Sequence, residues 1–160
     1  MRFPLLLAPL FLSPWAYAAA TELDEVLSRV HGSVIVFDLD ETLIDSRPRT
    51  QAILREFAAG PKIRTQFLPE SNIALSLKLD EFRYHLDDTL WVAGIESREF
   101  VAQALEYWKA RYYTSVALVH DRAYAGAPEY VHAVLDAGGQ VVYLTGRNEP
   151  EMGEGTRQSL

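Results

Sequence analysis

The residues of this chain best suited to chemistry are two carboxylates that follow a short apolar run. Val34 to Phe37 lead directly into Asp38 and Asp40. Residues two apart on an extended chain share a face, so both carboxylates should point into one crevice. Two such carboxylates repel each other unless a cation or a proton lies between them, and Mg²⁺ prefers oxygen ligands of this kind. A carboxylate can also act as a covalent nucleophile. The alternative is a strand that ends in a solvated acidic turn.

A second polar group follows another apolar run about a hundred residues later. Val141 to Leu144 precede Thr145, Gly146 and Arg147. A hydroxyl and the amides of a Thr-Gly turn can donate hydrogen bonds to phosphate oxygens, and glycine lets a ligand approach the backbone closely. An arginine can bind an anion through a bidentate fork. The two groups together predict a site for a divalent metal and a phosphate.

Both apolar runs lack alternation, which is typical of strands buried on both faces of a parallel sheet. Ligands of such sheets gather at the carboxyl ends of the strands. Pro128 to Ala137 is predicted to form a helix that ends at Gly138 and leads into the second strand. A crossover between parallel strands is almost always right-handed. The pattern therefore predicts an α/β fold.

The run Asp38-Leu39-Asp40-Glu41-Thr42 resembles the first motif of the haloacid dehalogenase (HAD) superfamily. The resemblance implies that Asp38 is the nucleophile and Asp40 the general acid and base. It also implies that Asp38 and the backbone carbonyl of Asp40 bind Mg²⁺, and that Thr42 is structural. Glu41 stands where many members have glycine.

The second strand, ending in Thr145, resembles the second motif of the same superfamily, in which that residue binds phosphate. Gly146 and Arg147 are further candidates for phosphate binding. The resemblance implies a Mg²⁺-dependent phosphomonoester hydrolase that acts on a small phosphorylated substrate through an aspartyl-phosphate. A phosphomutase carries both acids as well, whereas the dehalogenases of the superfamily lack the second one.

The resemblance also implies a third motif with a lysine and a fourth with acids, both after the second motif. Residues 148–160 contain no lysine, and Glu149, Glu151 and Glu154 do not match the fourth motif. We therefore expect a fragment or the product of an interrupted gene, with an exposed apolar sheet edge. A catalytically inactive or merely phosphate-binding remnant is the alternative to the enzyme.

The expected organisation is a HAD-like Rossmannoid parallel sheet with an incomplete core, formed by residues 19–45 and 121–160. Residues 46–120 are expected to form an inserted helical cap that covers the site. Within the cap we predict a helix up to Ala59, irregular chain over residues 61–76 and an amphipathic helix over residues 79–90. The apolar face of the first helix is expected to be Ile53, Leu54, Phe57 and Ala58, and the second helix is predicted from the spacing of Leu79, Phe82, Leu86 and Leu90. Ser97 is predicted to cap the last helix of the insertion.

Several other polar and aromatic residues have two interpretations. Arg47 and Arg49 could reach a substrate anion, but a solvated helix start is favoured. A tyrosine and tryptophan group could stack on an aromatic substrate, but core packing is favoured. His85 with Asp87 and Asp88 could bind metal, but a solvated surface is favoured. The sequence around Asp121 does not indicate a role for this residue. The residues of the aromatic group are Tyr107, Trp108, Tyr112 and Tyr113.

Composition and the amino terminus limit the class of protein. The 160-residue chain has a net charge of −7 and no cysteine, so nucleic-acid binding, disulfides and thiol catalysis are not expected. Residues 1–18 resemble a secretory signal peptide, with Arg2, an apolar stretch and Ala16-Tyr17-Ala18 as the cleavage site. We expect export to the periplasm or medium, without a stable membrane anchor after cleavage. An uncleaved anchor and a cytoplasmic protein are the alternatives.

Overall fold

The computed structural model describes residues 23–160, so the expected signal peptide lies outside the described residues. Residues 23–27 are helical. The further elements are β1 (Val34–Asp38), β2 (Ile44–Asp45), α1 (Arg47–Ala59), α2 (Pro61–Gln66), α3 (Leu68–Ser76), α4 (Leu86–Val92), α5 (Arg98–Tyr112), β3 (Arg122–Ala123), α6 (Ala127–Asp136), β4 (Gln140–Leu144) and α7 (Glu149–Ser159). Short 3₁₀ turns lie at Leu79–Glu81 and Ala117–His120. The presence of both helices and strands confirms the predicted α/β fold.

The chain forms two compact units, and the smaller one comprises residues 129–142 with the described residues up to 36. Backbone hydrogen bonds join the two segments of this unit. The Gly32 amide donates to the Gly138 carbonyl at 2.9 Å, and the Gln140 amide donates to the Ser33 carbonyl at 2.8 Å. Gly138 has a φ of +81°, which fits the predicted helix end. Val134 is buried in the helix before it, whereas the neighbouring Leu135 is exposed.

β1 pairs with β4 as predicted, but the expected burial of both strands on two faces is wrong. Val34 and Val36 are 57% and 55% exposed, and Val142 and Leu144 are exposed too. Exposure alternates along both strands. Within residues 23–160 the sheet contains these two strands alone, so nothing covers the face that these side chains share.

The larger unit comprises residues 37–128 and 143–160 and contains the main hydrophobic core. Phe100 packs edge-on against Phe57 and Phe67, with ring centroids 5.3 and 5.7 Å apart. Ser97 caps α5 as predicted, because its hydroxyl accepts a hydrogen bond from the Phe100 amide. The apolar face predicted for α1 is also confirmed as buried, namely Ile53, Leu54, Phe57 and Ala58.

Two predictions for the helical segment are wrong. Residues 61–76 form α2 and α3 rather than irregular chain, because Pro61 and Pro69 occupy the first turn of a helix, where no amide donor is needed. The helix predicted over residues 79–90 is interrupted, and regular α-helix begins only at Leu86. The side chains that suggested it are still buried at Phe82, Leu86 and Leu90.

A two-residue antiparallel ladder was not predicted, yet it positions part of the site. Ile44 pairs with Ala123 and Asp45 with Arg122. The Tyr124 amide extends the contact by donating to the Leu43 carbonyl at 2.9 Å. The ladder therefore holds the segment around residue 121 next to the start of α1.

α7 is longer than the helix expected from Gly155 onward, since it begins at Glu149. The Asn148 side chain caps it by accepting from the Glu151 amide at 2.9 Å. Its inner face is close to Ser115, where a side chain at position 155 would clash with backbone. No helix in the described part of the chain is both long and apolar enough to cross a membrane.

Candidate active site

The loop after β1 reverses the chain around the carbonyl of Leu39. This carbonyl accepts from the Leu43 and Ile44 amides at 3.0 and 2.9 Å, while the Leu39 side chain is fully buried. Glu41 has a φ of +60°, a left-handed conformation that favours glycine.

The Glu41 carboxylate holds its own strained backbone in place. It accepts hydrogen bonds from the Ser46 amide at 3.1 Å and from the Ser46 hydroxyl at 2.5 Å. Its second oxygen accepts from the Tyr124 hydroxyl at 3.0 Å. These bonds tie the loop to the start of α1 and to the end of the β2–β3 ladder.

Asp38 is the more accessible of the two acids. It ends β1, it is exposed, and one of its carboxylate oxygens accepts a hydrogen bond from the Thr42 hydroxyl at 3.1 Å. This contact accords with the structural role expected of Thr42. An exposed carboxylate with one neighbouring donor remains free to meet a ligand.

Asp40 is held by two guanidinium groups. Arg147 donates from Nε and Nη2 at 2.9 and 2.7 Å, and Arg49 donates from Nη2 at 2.9 Å. Partial burial raises the pKa of the Asp40 carboxyl, but the hydrogen bonds and positive charges of Arg147 and Arg49 outweigh it. The net result is a pKa below the ordinary value of 3.8, so Asp40 is held as a carboxylate.

Asp121, which had no distinguishing context in the sequence, completes the arrangement. Arg49 binds it through two hydrogen bonds of 2.7 and 2.6 Å, and Arg147 donates a third at 2.8 Å. We refer to Asp40, Arg49, Asp121 and Arg147 as the ionic cluster. Two positive charges face two negative charges, so the cluster is neutral as a whole.

Arg49 contradicts the favoured interpretation of a solvated helix start. Its side chain is 0% exposed, and its guanidinium lies 4.3 Å from the centre of the Tyr112 ring. Burial alone would lower the pKa of Arg49, but Asp121, Tyr112 and Asp40 raise it above its ordinary value, so the group is charged. Arg49 precedes Ile53 by four residues and therefore shares its buried helix face, a signal present in the sequence. Arg47 pairs with Asp45 at 2.8 Å instead.

The three residues predicted for phosphate binding follow β4 in the same unit as the two acids. The Thr145 hydroxyl accepts from the Arg147 amide at 3.2 Å, which leaves its own proton available for donation. The space around Gly146 is open, so a ligand could approach its backbone. The Arg147 fork, predicted to bind a substrate anion, binds Asp40 and Asp121 in this structure.

An aromatic wall borders a cavity of about 590 Å³ that Asp40 also lines. Tyr112 donates to the Ser46 hydroxyl at 3.0 Å, and burial raises the pKa of its phenol above the ordinary value. Trp108 packs against the core, as favoured from the sequence, yet Trp108, Tyr112 and Tyr113 also line this cavity. The aromatic wall therefore packs against the core and is also accessible to a ligand in the cavity.

The donors available for Mg²⁺ are oxygen atoms, as this ion prefers. The Asp38 carboxylate is exposed, while the Asp40 carboxylate is engaged by arginines, so Asp40 would contribute its backbone carbonyl alone. Mg²⁺ commonly takes one or two carboxylates and fills its remaining positions with water and substrate phosphate, and this donor set fits that pattern. Among residues 23–160 no group of three or more His, Asp or Glu side chains is placed to hold a metal.

Similarity to a known protein family is consistent with the polar residues found at the ends of β1 and β4. A family model described as haloacid dehalogenase-like hydrolase matches residues 33–160. No curated protein and no solved structure shows significant similarity to the chain. The match spans both strands, the helical segment between them and every residue of the ionic cluster. The chain therefore belongs to the haloacid dehalogenase-like hydrolases.

Proposed function

We propose that this hydrolase cleaves small phosphomonoesters with Mg²⁺ through an aspartyl-phosphate on Asp38. The observation that carries the proposal is the contact between Arg147 and Asp40, 107 residues apart in the chain. This contact brings together the polar residues that follow the two paired strands. Asp38, two residues before Asp40 in the chain, has an exposed carboxylate. Such convergence supports a phosphate site between them.

In the proposed reaction the Asp38 carboxylate attacks phosphorus while the Thr145 hydroxyl donates to a phosphate oxygen. The bond between phosphorus and the ester oxygen breaks, and Asp40 donates a proton to that oxygen so that the alcohol leaves. Asp40 then removes a proton from the water that attacks phosphorus, the bond to the Asp38 oxygen breaks, and inorganic phosphate is released. Asp38 and the carbonyl of Asp40 would hold Mg²⁺, which when bound supplies positive charge to the phosphoryl group.

The lowered pKa of Asp40 opposes its role as an acid until substrate arrives. A phosphate near Asp38 would add negative charge and compete for the N–H groups of Arg147. Both effects raise the pKa of a neighbouring carboxyl, because they weaken the stabilisation of its charged form. Substrate binding would thereby favour the protonated Asp40 that the first step needs.

The decisive experiment measures hydrolysis of an aryl phosphate by the purified chain, with and without Mg²⁺. Replacing Asp38 by Asn removes the proposed nucleophile and should lower turnover at least about a hundredfold. The exposed Asp88→Asn is the matched control and should retain activity. A phosphoryl adduct on the peptide that contains Asp38 would identify the nucleophile. Undiminished turnover in Asp38→Asn would show that this assignment is wrong.

A second candidate function is phosphate binding without hydrolysis. The observation that favours it is the ionic cluster, which engages the Asp40 carboxylate on both oxygens. In that case the wild-type chain would bind inorganic phosphate in a calorimeter but release none from an aryl phosphate. Turnover above that of Asp38→Asn would exclude it.

We also propose that the chain is exported, on the basis of the signal-like residues 1–18. Cell fractionation followed by amino-terminal sequencing would test this. A periplasmic or secreted protein that begins at Ala19 is the expected result, and a cytoplasmic protein that retains Met1 or Arg2 would contradict it.

A further inference from the structure

The cavity beside Asp40 has the size of a small-molecule site. Its volume is about 590 Å³, within the range of about 300–1,000 Å³ that is usual for ligand pockets. Asp40 and Glu41 line one part of it, and aromatic side chains line much of the remainder. All lining residues belong to the larger unit of the chain.

Two of the aromatic rings are already engaged by neighbouring groups. The Arg49 guanidinium lies 4.3 Å from the centre of the Tyr112 ring. The Trp108 ring lies 4.3 Å from the same ring and is inclined to it by 34°. Trp108 also donates from Nε1 to the Thr50 hydroxyl at 3.2 Å. Trp108 and Tyr112 therefore form a fixed wall and have little free ring surface.

Two other rings on the same cavity are open. Tyr84 is 87% exposed and Tyr113 is 48% exposed. Tyr113 meets Trp108 and Tyr112 at interplanar angles of 70° and 80°, and Tyr84 meets His85 at 81°. Both rings are therefore only partly covered by their neighbours, and their exposed surface is available for stacking.

The position of Asp40 indicates which part of a substrate would occupy the cavity. In the proposed function, on which this inference rests, Asp40 protonates the oxygen of the leaving group. Asp40 also lines the cavity, so the leaving group should extend into it. Exposed tyrosine faces bind planar rings well and gain little from a short aliphatic chain.

We propose that the cavity selects phosphomonoesters with a planar aromatic leaving group, which stacks on Tyr84 and Tyr113. Tyr84 and Tyr113 are thus specificity-determining residues, and Trp108 and Tyr112 support them. Aryl phosphates and nucleoside monophosphates belong to this substrate class, and phosphates of small polyols lie outside it.

Binding of non-hydrolysable phosphonates tests the inference without any turnover. Phenylphosphonate should bind the wild-type chain at least about tenfold more tightly than methylphosphonate in isothermal titration calorimetry. Tyr84→Ala and Tyr113→Ala should each weaken phenylphosphonate binding about tenfold and leave methylphosphonate binding unchanged. Tyr84→Phe and Tyr113→Phe should retain the preference, because the ring is kept. Trp91→Ala, which removes an exposed aromatic ring outside the cavity, is the matched control.

Hydrolysis then separates this inference from the function on which it rests. The ratio of kcat/KM for phenyl phosphate to that for glycerol 2-phosphate should fall in the two alanine variants and stay constant in Trp91→Ala. The wild-type chain could prefer phenylphosphonate, lose this preference in the tyrosine variants and yet show no hydrolysis. That result would support the aromatic site and refute the proposed hydrolysis of phosphomonoesters. Equal binding of the two phosphonates, no binding of either, or alanine variants that behave like Trp91→Ala would overturn the aromatic site.

Discussion

Two acids that lie two residues apart in the chain have opposite surroundings. Asp38, at the end of β1, is exposed and has one hydroxyl neighbour. Asp40, in the ionic cluster, receives three N–H groups from two buried arginines. The motif therefore supplies one exposed carboxylate and one whose position and charge are controlled by neighbouring arginines.

The two surroundings also differ in what a mutation should do. An exposed carboxylate contributes little to stability, so its loss should affect chemistry alone. A buried ion pair adds little to the stability of the fold relative to an apolar replacement of the same shape. Removal of one partner is costly, because it leaves a charge without compensation. Stability measurements can therefore separate the end of β1 from the ionic cluster.

The largest effect is expected for Asp121→Ala. The Asp121 side chain is 3% exposed and binds both arginines, so its removal leaves a positive charge buried. We expect the free energy of unfolding to fall by about 3–5 kcal/mol, measured by urea denaturation. Asp38→Ala and the exposed control Glu106→Ala should change it by less than about 0.5 kcal/mol. Similar losses for Asp38→Ala and Asp121→Ala would erase the contrast between the two regions.

A smaller effect is expected for Arg49→Lys, which keeps the charge but removes the planar fork. Lysine cannot make two parallel bonds to Asp121 while also reaching Asp40. Loss of hydrogen bonds to charged groups should reduce the free energy of unfolding by about 2 kcal/mol. Arg157→Lys is the control, because Arg157 also contacts two acids but lies on the surface. It should show no measurable change, and equal losses in both variants would mean that the fork geometry is unimportant.

Asp38, Asp40 and Arg147 could be selected as candidate site residues from the sequence. The helical spacing of Arg49 from Ile53 offered a further signal, whereas Asp121 could not be found in this way. Asp38, Asp40 and Arg147 follow apolar runs, and the pairing of those runs as neighbouring strands was anticipated. Asp121 reaches the cluster through the β2–β3 ladder. Two-residue strands show no alternation, so a local pattern could not reveal that contact.

The fold shows the same division between local and long-range information. The apolar face of α1 and the Ser97 cap depend on residues within one or two turns, and both predictions were confirmed. The exposure of Val34 and Val36 depends on which elements cover the sheet, and that is a property of the whole chain. Likewise, the open faces of Tyr84 and Tyr113 arise from the arrangement of separate segments around one cavity.

The pH dependence of stability should report the controlled charge of Asp40. Its folded-state pKa is lowered below 3.8, chiefly through Arg147 and Arg49 acting against burial. The contact therefore stabilises the fold above the unfolded-state pKa of about 3.9, and this contribution is lost as the pH falls through the folded-state value. Urea denaturation from pH 6 downward should show a steeper loss below about pH 4 for the wild-type chain than for Asp40→Asn. Identical slopes would contradict the assignment of this charge to the cluster.

The smallest effect concerns Glu41, which directly follows Asp40 in the loop after β1. Its left-handed backbone is unfavourable for a residue with a side chain by about 1 kcal/mol, but its carboxylate binds Ser46 and Tyr124. Glu41→Ala loses these bonds and keeps the strain, whereas Glu41→Gly loses the bonds and relieves it. The glycine variant should therefore be more stable than the alanine variant by about 1 kcal/mol in urea denaturation. At Glu106, inside helix α5, the order should be reversed by about 1 kcal/mol, since glycine is unfavourable in a helix interior. The same order at both positions, with alanine more stable than glycine, would show that the backbone at Glu41 is not strained.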